Sequence, residues 1–476
     1  MSNAFLIIAA QFAAGVGVLL YVEMRRTRAH GPDPVSLFMV LLLVQCGLPA
    51  IGLFGALPFA DTASLTGNSA FDNILRGTTL ASAQLVFLLA AWFVVSFYVG
   101  VSVCRLGLRP TRVADVHDVA ALPALRVRER PLLALLVIGL IITLASFMTL
   151  GDSWASRYAN LILFRAGFAG IERTAFNANA FSLTQAWSWL SVLCLLSVST
   201  ASPRRRVWWL VFTMAVVFAV LGGSRRALAI PLVLAYCASV LQTGKWRAHR
   251  VALAAVPAFL WLAYGKAILA AVAFGGSAET VASEFSSAPS VVLRASAEAG
   301  ITVVESLGTI TSLDLPPRFG VDHALSLIRR LPDGLIGYEL DLPERIVRVS
   351  TTALVGPDAL DMPPGLMGQM WLDFRAVGAV IWGLLFGVAM GVVQHRFQTT
   401  RRTLGAAAVY SIATFLIALP LNSGSLDFNF TVDTILVMVA LAAVVSRERA
   451  TGARYWCTKI LLLARRPDRI RCADPR

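Results

Sequence analysis

Apolar residues run in eleven continuous blocks of 15 to 24 along this 476-residue chain, and polar residues gather in the links between them. The blocks cover 4–22, 36–56, 81–103, 132–150, 185–199, 207–221, 227–241, 251–274, 376–393, 404–421 and 430–445. Runs of this length without the every-second-residue alternation of a lipid-facing strand predict transmembrane helices and exclude a β-barrel. The predicted fold class is therefore an all-α polytopic membrane protein with about eleven spans. Composition agrees, because 57% hydrophobic and 14% charged residues leave a water-soluble domain too little polar surface.

Charge orients the bundle. The links 23–34, 105–131, 203–206, 243–250, 394–402 and the segment from 447 onward hold 27 of the 41 Lys and Arg but 8 of the 27 acids. By the positive-inside rule these links are cytoplasmic. An odd number of spans then puts the N-terminus outside and the C-terminus inside, with every basic link on one side. The net charge of +14 reports membrane orientation and not nucleic-acid binding. No basic residue precedes the first apolar run and no convincing cleavage site follows it, so it reads as a retained helix. The predicted organisation is residues 1–274 with eight spans and an outer loop at 151–184, an outer cap at 275–365, three spans within 366–446, and a basic cytoplasmic tail at 447–476. None of the six cysteines falls in an outer link, and their spacing offers neither a CxxC pair nor a metal cluster.

Three outer segments exceed a simple turn. Residues 58–80 are rich in Ser, Thr, Asn, Asp and Gly and read as a loop. Residues 151–184 carry Arg157, Arg165 and Arg173 at spacings of eight; at about 100° per residue each step turns by about 80°, so they line at most one broad side of a helix. The segment 275–365 keeps too many Leu, Ile and Val for disorder and predicts a small helical cap. Within it, 322–331 (DHALSLIRRL) has helical periodicity, with Arg329 and Arg330 at the end where the helix dipole favours cations. Along the ninth span, Gly383, Gly387 and Gly391 repeat every four residues, a pattern explained by close helix packing.

The strongest local signal is 221–227, LGGSRRA, between two short spans. Two glycines and a serine suit a tight break whose backbone N–H groups approach a ligand, and Arg225 and Arg226 follow at once, at the outer interface where the orientation rule disfavours them. The competing reading is ordinary interfacial snorkelling. Arginine's planar fork fits phosphate oxygens bidentately, and the outer region carries many arginines and a single lysine, Lys266.

From Leu221 onward, LGGSRRALAIPLVLAYCASVLQTGKW resembles the Gly-Gly-Ser/Thr-Arg lead-in to a short helix in Wzy-type polymerases of lipid-linked oligosaccharide repeat units, most closely the enterobacterial common antigen polymerases. VEMRRTR at 22–28 with Gly47-Leu48-Pro49 in the next span, Val304-Glu305-Ser306-Leu307 opening the cap, and GLMGQMWLDFRAVGAVIWGLLFG at 365–387 are similar to further stretches of that family, in matching order. Two departures are the doubled arginine, which leaves the essential one open, and Phe374-Arg375, where many members have Phe-Gly. The resemblance implies a GT-C-like glycosyltransferase with a helical periplasmic cap, in the inner membrane of a bacterium. Such an enzyme moves a growing glycan from one undecaprenyl-pyrophosphate carrier onto the next lipid-linked unit.

Read onto this chain, Arg225 with Arg226 stabilises the departing diphosphate, while Arg157, Arg165, Arg173, Arg329 and Arg330 bind substrate or carrier. Glu305 and His323 are the candidate bases, each with a plain alternative: Glu305 as an ion-pair partner, His323 as a helix-start residue beside Asp322. No outer carboxylate pair forms a convincing metal site, Asp358 and Asp361 being the nearest, so no metal or other cofactor is expected. Expected partners are the lipid-linked glycan, membrane lipid, a chain-length regulator and a flippase, with no nucleic acid. Two other classes stay open: a ligase moving finished glycan onto a lipid core, and a non-enzymatic flippase or exporter. The absence of an internal repeat speaks against the second.

Overall fold

A computed structural model of the chain describes residues 2–27, 31–59, 69–108, 124–166, 189–191, 193, 205–221, 225–246, parts of 259–271, 288–313, 315–328, 344–354, 356, 362–424 and 432–448. In chain order the helices are α1 (Ser2–Arg26), α2 (Pro34–Leu42), α3 (Leu48–Ala56), α4 (Ser69–Gly77), α5 (Leu80–Gly107), α6 (Glu129–Met148), α7 (Trp154–Ala166), α8 (Arg205–Leu221) and α9 (Arg225–Thr243). They continue with α10 (Ala288–Ala299), α11 (Ile301–Ser312), α12 (Val321–Ile328), α13 (Ile346–Leu354), α14 (Leu366–Phe374), α15 (Ala376–Gln398), α16 (Leu404–Ala418), α17 (Pro420–Ser423) and α18 (Val432–Val444). Two short strands, β1 (Ala124–Val127) and β2 (Val445–Glu448), pair antiparallel. The chain is a predominantly helical, membrane-embedded protein. Among the described residues, five helical stretches are long and apolar enough to cross a bilayer: Asn3–Arg26, Pro34–Phe59, Leu80–Gly107, Glu129–Met148 and Ala376–Gln398. The other predicted spans at 207–221, 227–241, 404–421 and 430–445 coincide with shorter helices, while 185–199 and 251–274 lie mostly outside the described residues.

Local chemistry sets the helix starts. Asp33 caps α2 by accepting the Ser36 N–H at 3.0 Å, while the Ser36 hydroxyl accepts the Asp33 N–H at 2.9 Å, with Pro34 at the first helical position. Thr79 and Ser82 repeat the reciprocal cap at α5. Pro49 has no N–H to return to a carbonyl one turn back, and the span that contains it takes up a π-turn over Leu43–Gly47, joining α2 to α3.

The core is organised about α5 and α15, which run parallel in close contact. A Cβ on Gly387 would collide with the Phe97 carbonyl oxygen, one on Gly383 with that of Phe93, one on Gly391 with the Cys104 side chain, and one on Gly100 with the α15 backbone. The four-residue glycine repeat therefore brings two backbones together, as its spacing predicts. Stacked rings fill the space beside this seam, Phe38 on Phe97 at 4.6 Å between centroids and Phe93 edge-on to Phe386 at 5.6 Å. One hydrophobic cluster joins α1–α5, α10, α11, α14 and α15, and a second joins α6, α8, α9, α16 and α18.

The ends of these helices sort as the charge pattern requires. Glu23, buried at the end of α1, receives Arg26 at 2.5 Å and Arg105 of α5 at 2.6 Å; Asp33 receives Arg26 at 3.0 Å and the amide of Gln394 from α15. Arg105 also donates to Gln394 at 3.1 Å. The β1–β2 ribbon joins the link 105–131 to the segment after 444, and Gly31 abuts Gly244. Five of the six basic links thus meet at one end of the bundle.

One expectation is revised. Residues 58–80 are not simply a loop: Ser69–Gly77 is helical, because Phe71, Ile74 and Leu75 share a face that packs into the core. Within 275–365 the described residues include four helices, of which α10 lies against α3, with Gly300 on Pro49 and Gly52 on Ser296, and α11 contributes Val303, Val304 and Leu307 to the main cluster. Replacing Gly387 by Ala should destabilise the protein by about 1–3 kcal/mol through overpacking, whereas Gly17→Ala, with nothing within 4 Å, should be neutral. Thermal unfolding of the two purified variants in detergent checks the contrast.

Candidate active site

A pocket opens at the end of the bundle opposite the Glu23–Arg105 network, where the cap meets the start of α15. His323, Gln369, Met370 and Trp382 line it together with Pro420 and Gly424. It is small, a cavity of about 10 Å³, room for about one water-sized group.

The chemistry centres on Asp373, fully buried in the last turn of α14. Its Oδ1 accepts the Gln369 side-chain amide at 2.9 Å. Its Oδ2 accepts the Trp382 indole N–H at 2.9 Å and lies 2.9 Å from Nε2 of His323. Nε2 is the ring nitrogen that faces the carboxylate, and Nδ1 is buried. The His323 ring also stands edge-on to Trp382, 4.5 Å between centroids.

Neighbouring elements hold Asp373 in place. Helix α14 starts without a side-chain cap of its own, and α11 supplies one: the Leu366 N–H donates to Thr302 Oγ1 at 2.8 Å and the Met367 N–H to Ser306 Oγ at 3.1 Å. At its other end the Leu372 and Asp373 carbonyls accept the N–H groups of Arg318 and Phe319, both at 2.8 Å. That turn leads directly into α12, and Asp322 locks it by receiving Arg318 in a bidentate pair at 2.5 and 2.7 Å. The α14–α15 corner passes through Arg375 at φ 55°, ψ −139°, a region costly for any residue but glycine. Its guanidinium stacks over Trp371 at 5.0 Å and donates to the Leu315 carbonyl, which offsets the strain. Across the pocket mouth, Gly424 at φ 76° presses on the Gly365 carbonyl, a contact that any Cβ would prevent.

The predicted site residues divide. His323 lies in the pocket and is engaged with Asp373, more than a helix-start residue. Glu305, on α11, is buried and is not among the pocket-lining residues. Arg225 and Arg226 are the first described residues of α9; residues 222–224, which precede it, and the side chains of both arginines lie outside the described residues. Arg157 lies on α7 and commits its Nε to the Gly151 carbonyl at 2.6 Å. Arg165 lies near the end of the same helix without a described side chain, and Arg173, Arg329 and Arg330 lie outside the described residues. Among the described residues no group of three His, Cys, Asp or Glu could hold a metal ion.

Sequence reasoning missed Asp373, Gln369 and Trp382. The available signal was a lone acid three residues ahead of an apolar span, where an ionisable group is costly unless it has a purpose. No protein-family model, curated protein or solved structure matches this chain. Trp382→Phe keeps the ring and removes one donor from the buried carboxylate. It should lower stability by about 1.5–3 kcal/mol, read from thermal unfolding against the wild type.

Proposed function

We propose that this protein is a glycosyltransferase of the outer leaflet of a bacterial inner membrane, polymerising oligosaccharide repeat units carried on undecaprenyl pyrophosphate. The observation that carries the reading is an imidazole backed by a buried carboxylate, in a small pocket at the bundle end opposite the clustered basic links. That end is the outer face if the links are cytoplasmic, and eleven spans with the N-terminus outside complete the topology.

The reaction needs few groups. The acceptor hydroxyl oxygen attacks the anomeric carbon of the donor glycan, its proton passes to His323, and the carbon–oxygen bond to the diphosphate breaks with its electron pair leaving on the carrier. A general base contributes about 10²–10⁴-fold to such a step. The departing diphosphate develops charge that positioned arginines stabilise without a metal. Arg225 and Arg226 occupy the first turn of α9, where cations are disfavoured by the dipole by about 0.3–1 kcal/mol each. Two arginines in the first turn of a helix, beside its N-terminal end, suit an anionic ligand. Glu305, buried in α11, serves in this reading as part of the scaffold beneath α14, and the remaining outer arginines as carrier contacts.

In membranes supplied with lipid-linked repeat units alone, the wild type should lengthen them, and Arg225→Ala should abolish polymer while protein remains in the membrane. Repeat units that stay single until a lipid core acceptor is added identify a ligase; transport into vesicles without any change in glycan length rejects the enzyme class. Activity should persist in EDTA, and complete loss restored by Mg or Mn ions would remove the metal-independent mechanism.

A further inference from the structure

We propose that the basic end of the bundle holds a site for an anionic phospholipid of the adjoining leaflet, with Arg402 as the chief ligand of the headgroup phosphate and the exposed face of α15 as the path of the acyl chains. The proposal stands apart from the glycosyltransferase reading above. It starts from a shortage of negative charge. The two buried carboxylates at this end, Glu23 and Asp33, already receive Arg26, Arg105 and the Gln394 amide. Arg402 lies just beyond the same end of α15, half-buried, with its guanidinium over the Phe397 ring at 4.9 Å from the centroid. Among the described residues no carboxylate forms an ion pair with it. Asp33 is the one acid that acts on it from a distance, and burial lowers the Arg402 pKa by more than Asp33 restores.

A guanidinium drawn partly out of water without an acid of its own is costly, and a phosphate is the anion that its planar fork fits. The surroundings deepen the shortage. Residues 394–402 hold three arginines and no acid, and the other two, Arg396 and Arg401, are exposed beside Arg402 in sequence.

The apolar approach selects a lipid over a free anion. On α15, a helix long and apolar enough to cross the bilayer, Val388, Val392 and Arg396 follow at four-residue steps and all are exposed, so one face runs from hydrocarbon to a cation. On α5, packed against α15, Val99, Val103 and Leu106 are likewise exposed and end beside Arg105. A phosphate ion arriving from water uses none of this surface, whereas a phospholipid uses the cations and the apolar face together.

The full-length protein, purified in detergent, is titrated with phosphatidylglycerol, phosphatidylcholine or inorganic phosphate, and binding is read by native mass spectrometry with thermal unfolding as a check on folding. The wild type should bind phosphatidylglycerol at least about tenfold more tightly than phosphatidylcholine, and inorganic phosphate at the same concentration should leave that binding unchanged. Arg402→Gln should weaken phosphatidylglycerol binding about fivefold or more, the contribution of roughly one cation at a membrane surface. Arg205→Gln, which removes an exposed cation at the start of α8, should change it less than about twofold. If Arg402→Gln fails to fold, the exposed pair Arg396→Gln and Arg401→Gln takes its place with the same expected loss. Equal affinity for the two lipids overturns the proposal, and so does phosphatidylglycerol binding that these variants leave unmoved. Inorganic phosphate that competes with the lipid on equal terms makes this a free-anion site and overturns it as well.

Discussion

The parallel contact of α5 with α15 is the constraint on which the rest of the structure depends. Because Gly383, Gly387 and Gly391 allow backbone to approach backbone, the axial register of the two helices is set by collision and not by adjustable side chains. Register at one end then follows at the other. Gln394 arrives where Arg105 and Asp33 can use it, and some three turns earlier Trp382 arrives where its indole N–H meets Asp373. A slide of one helix by a single residue would separate both sets. The seam is apolar and carries no chemistry, yet it positions the polar groups at its two ends.

The two ends use polar groups differently. Near the basic links, Glu23 and Asp33 are buried beneath Arg26 and Arg105, whose outer parts remain in water. Removing one acid there strands cations that can still be solvated. At the opposite end Asp373 has no exposure, and each of its neighbours donates to it. An ionised carboxylate without water is tolerated only when its acceptor sites are occupied, which is why α11, α12 and α15 all converge on the short helix that carries it. The sparing use of charge makes this cluster stand out in an apolar chain.

How much of this could be read beforehand depended on range. The long spans and the packing role of the glycine repeat are periodic or local features, and they appear in the structure where the spacing puts them. The helix at Ser69–Gly77 was hidden because its Ser and Asn content imitates a loop; its three core-facing residues are too few to stand out from composition. His323 was visible as a lone titratable residue, but its partner was not, since nothing in the spacing of residues 323 and 373 marks them as neighbours. That neighbourhood arises from the positive-φ turn at Phe319, donating to the end of α14, and from the α14–α15 corner at Arg375, and neither conformation is encoded by the usual glycine. The intimate packing of α11 against the span helices escaped for a related reason: Thr302 and Ser306 look like surface residues until they are found capping another helix.

The β1–β2 ribbon carries a consequence for biogenesis. Its strands are more than three hundred residues apart, so β1 stays without a mate until everything between, and the helix before β2, has been made and folded. Closure of those four register pairs is a late event in maturation. A nascent chain that stalls in the bilayer would display an open strand edge to the quality-control machinery, and one that finishes would conceal it.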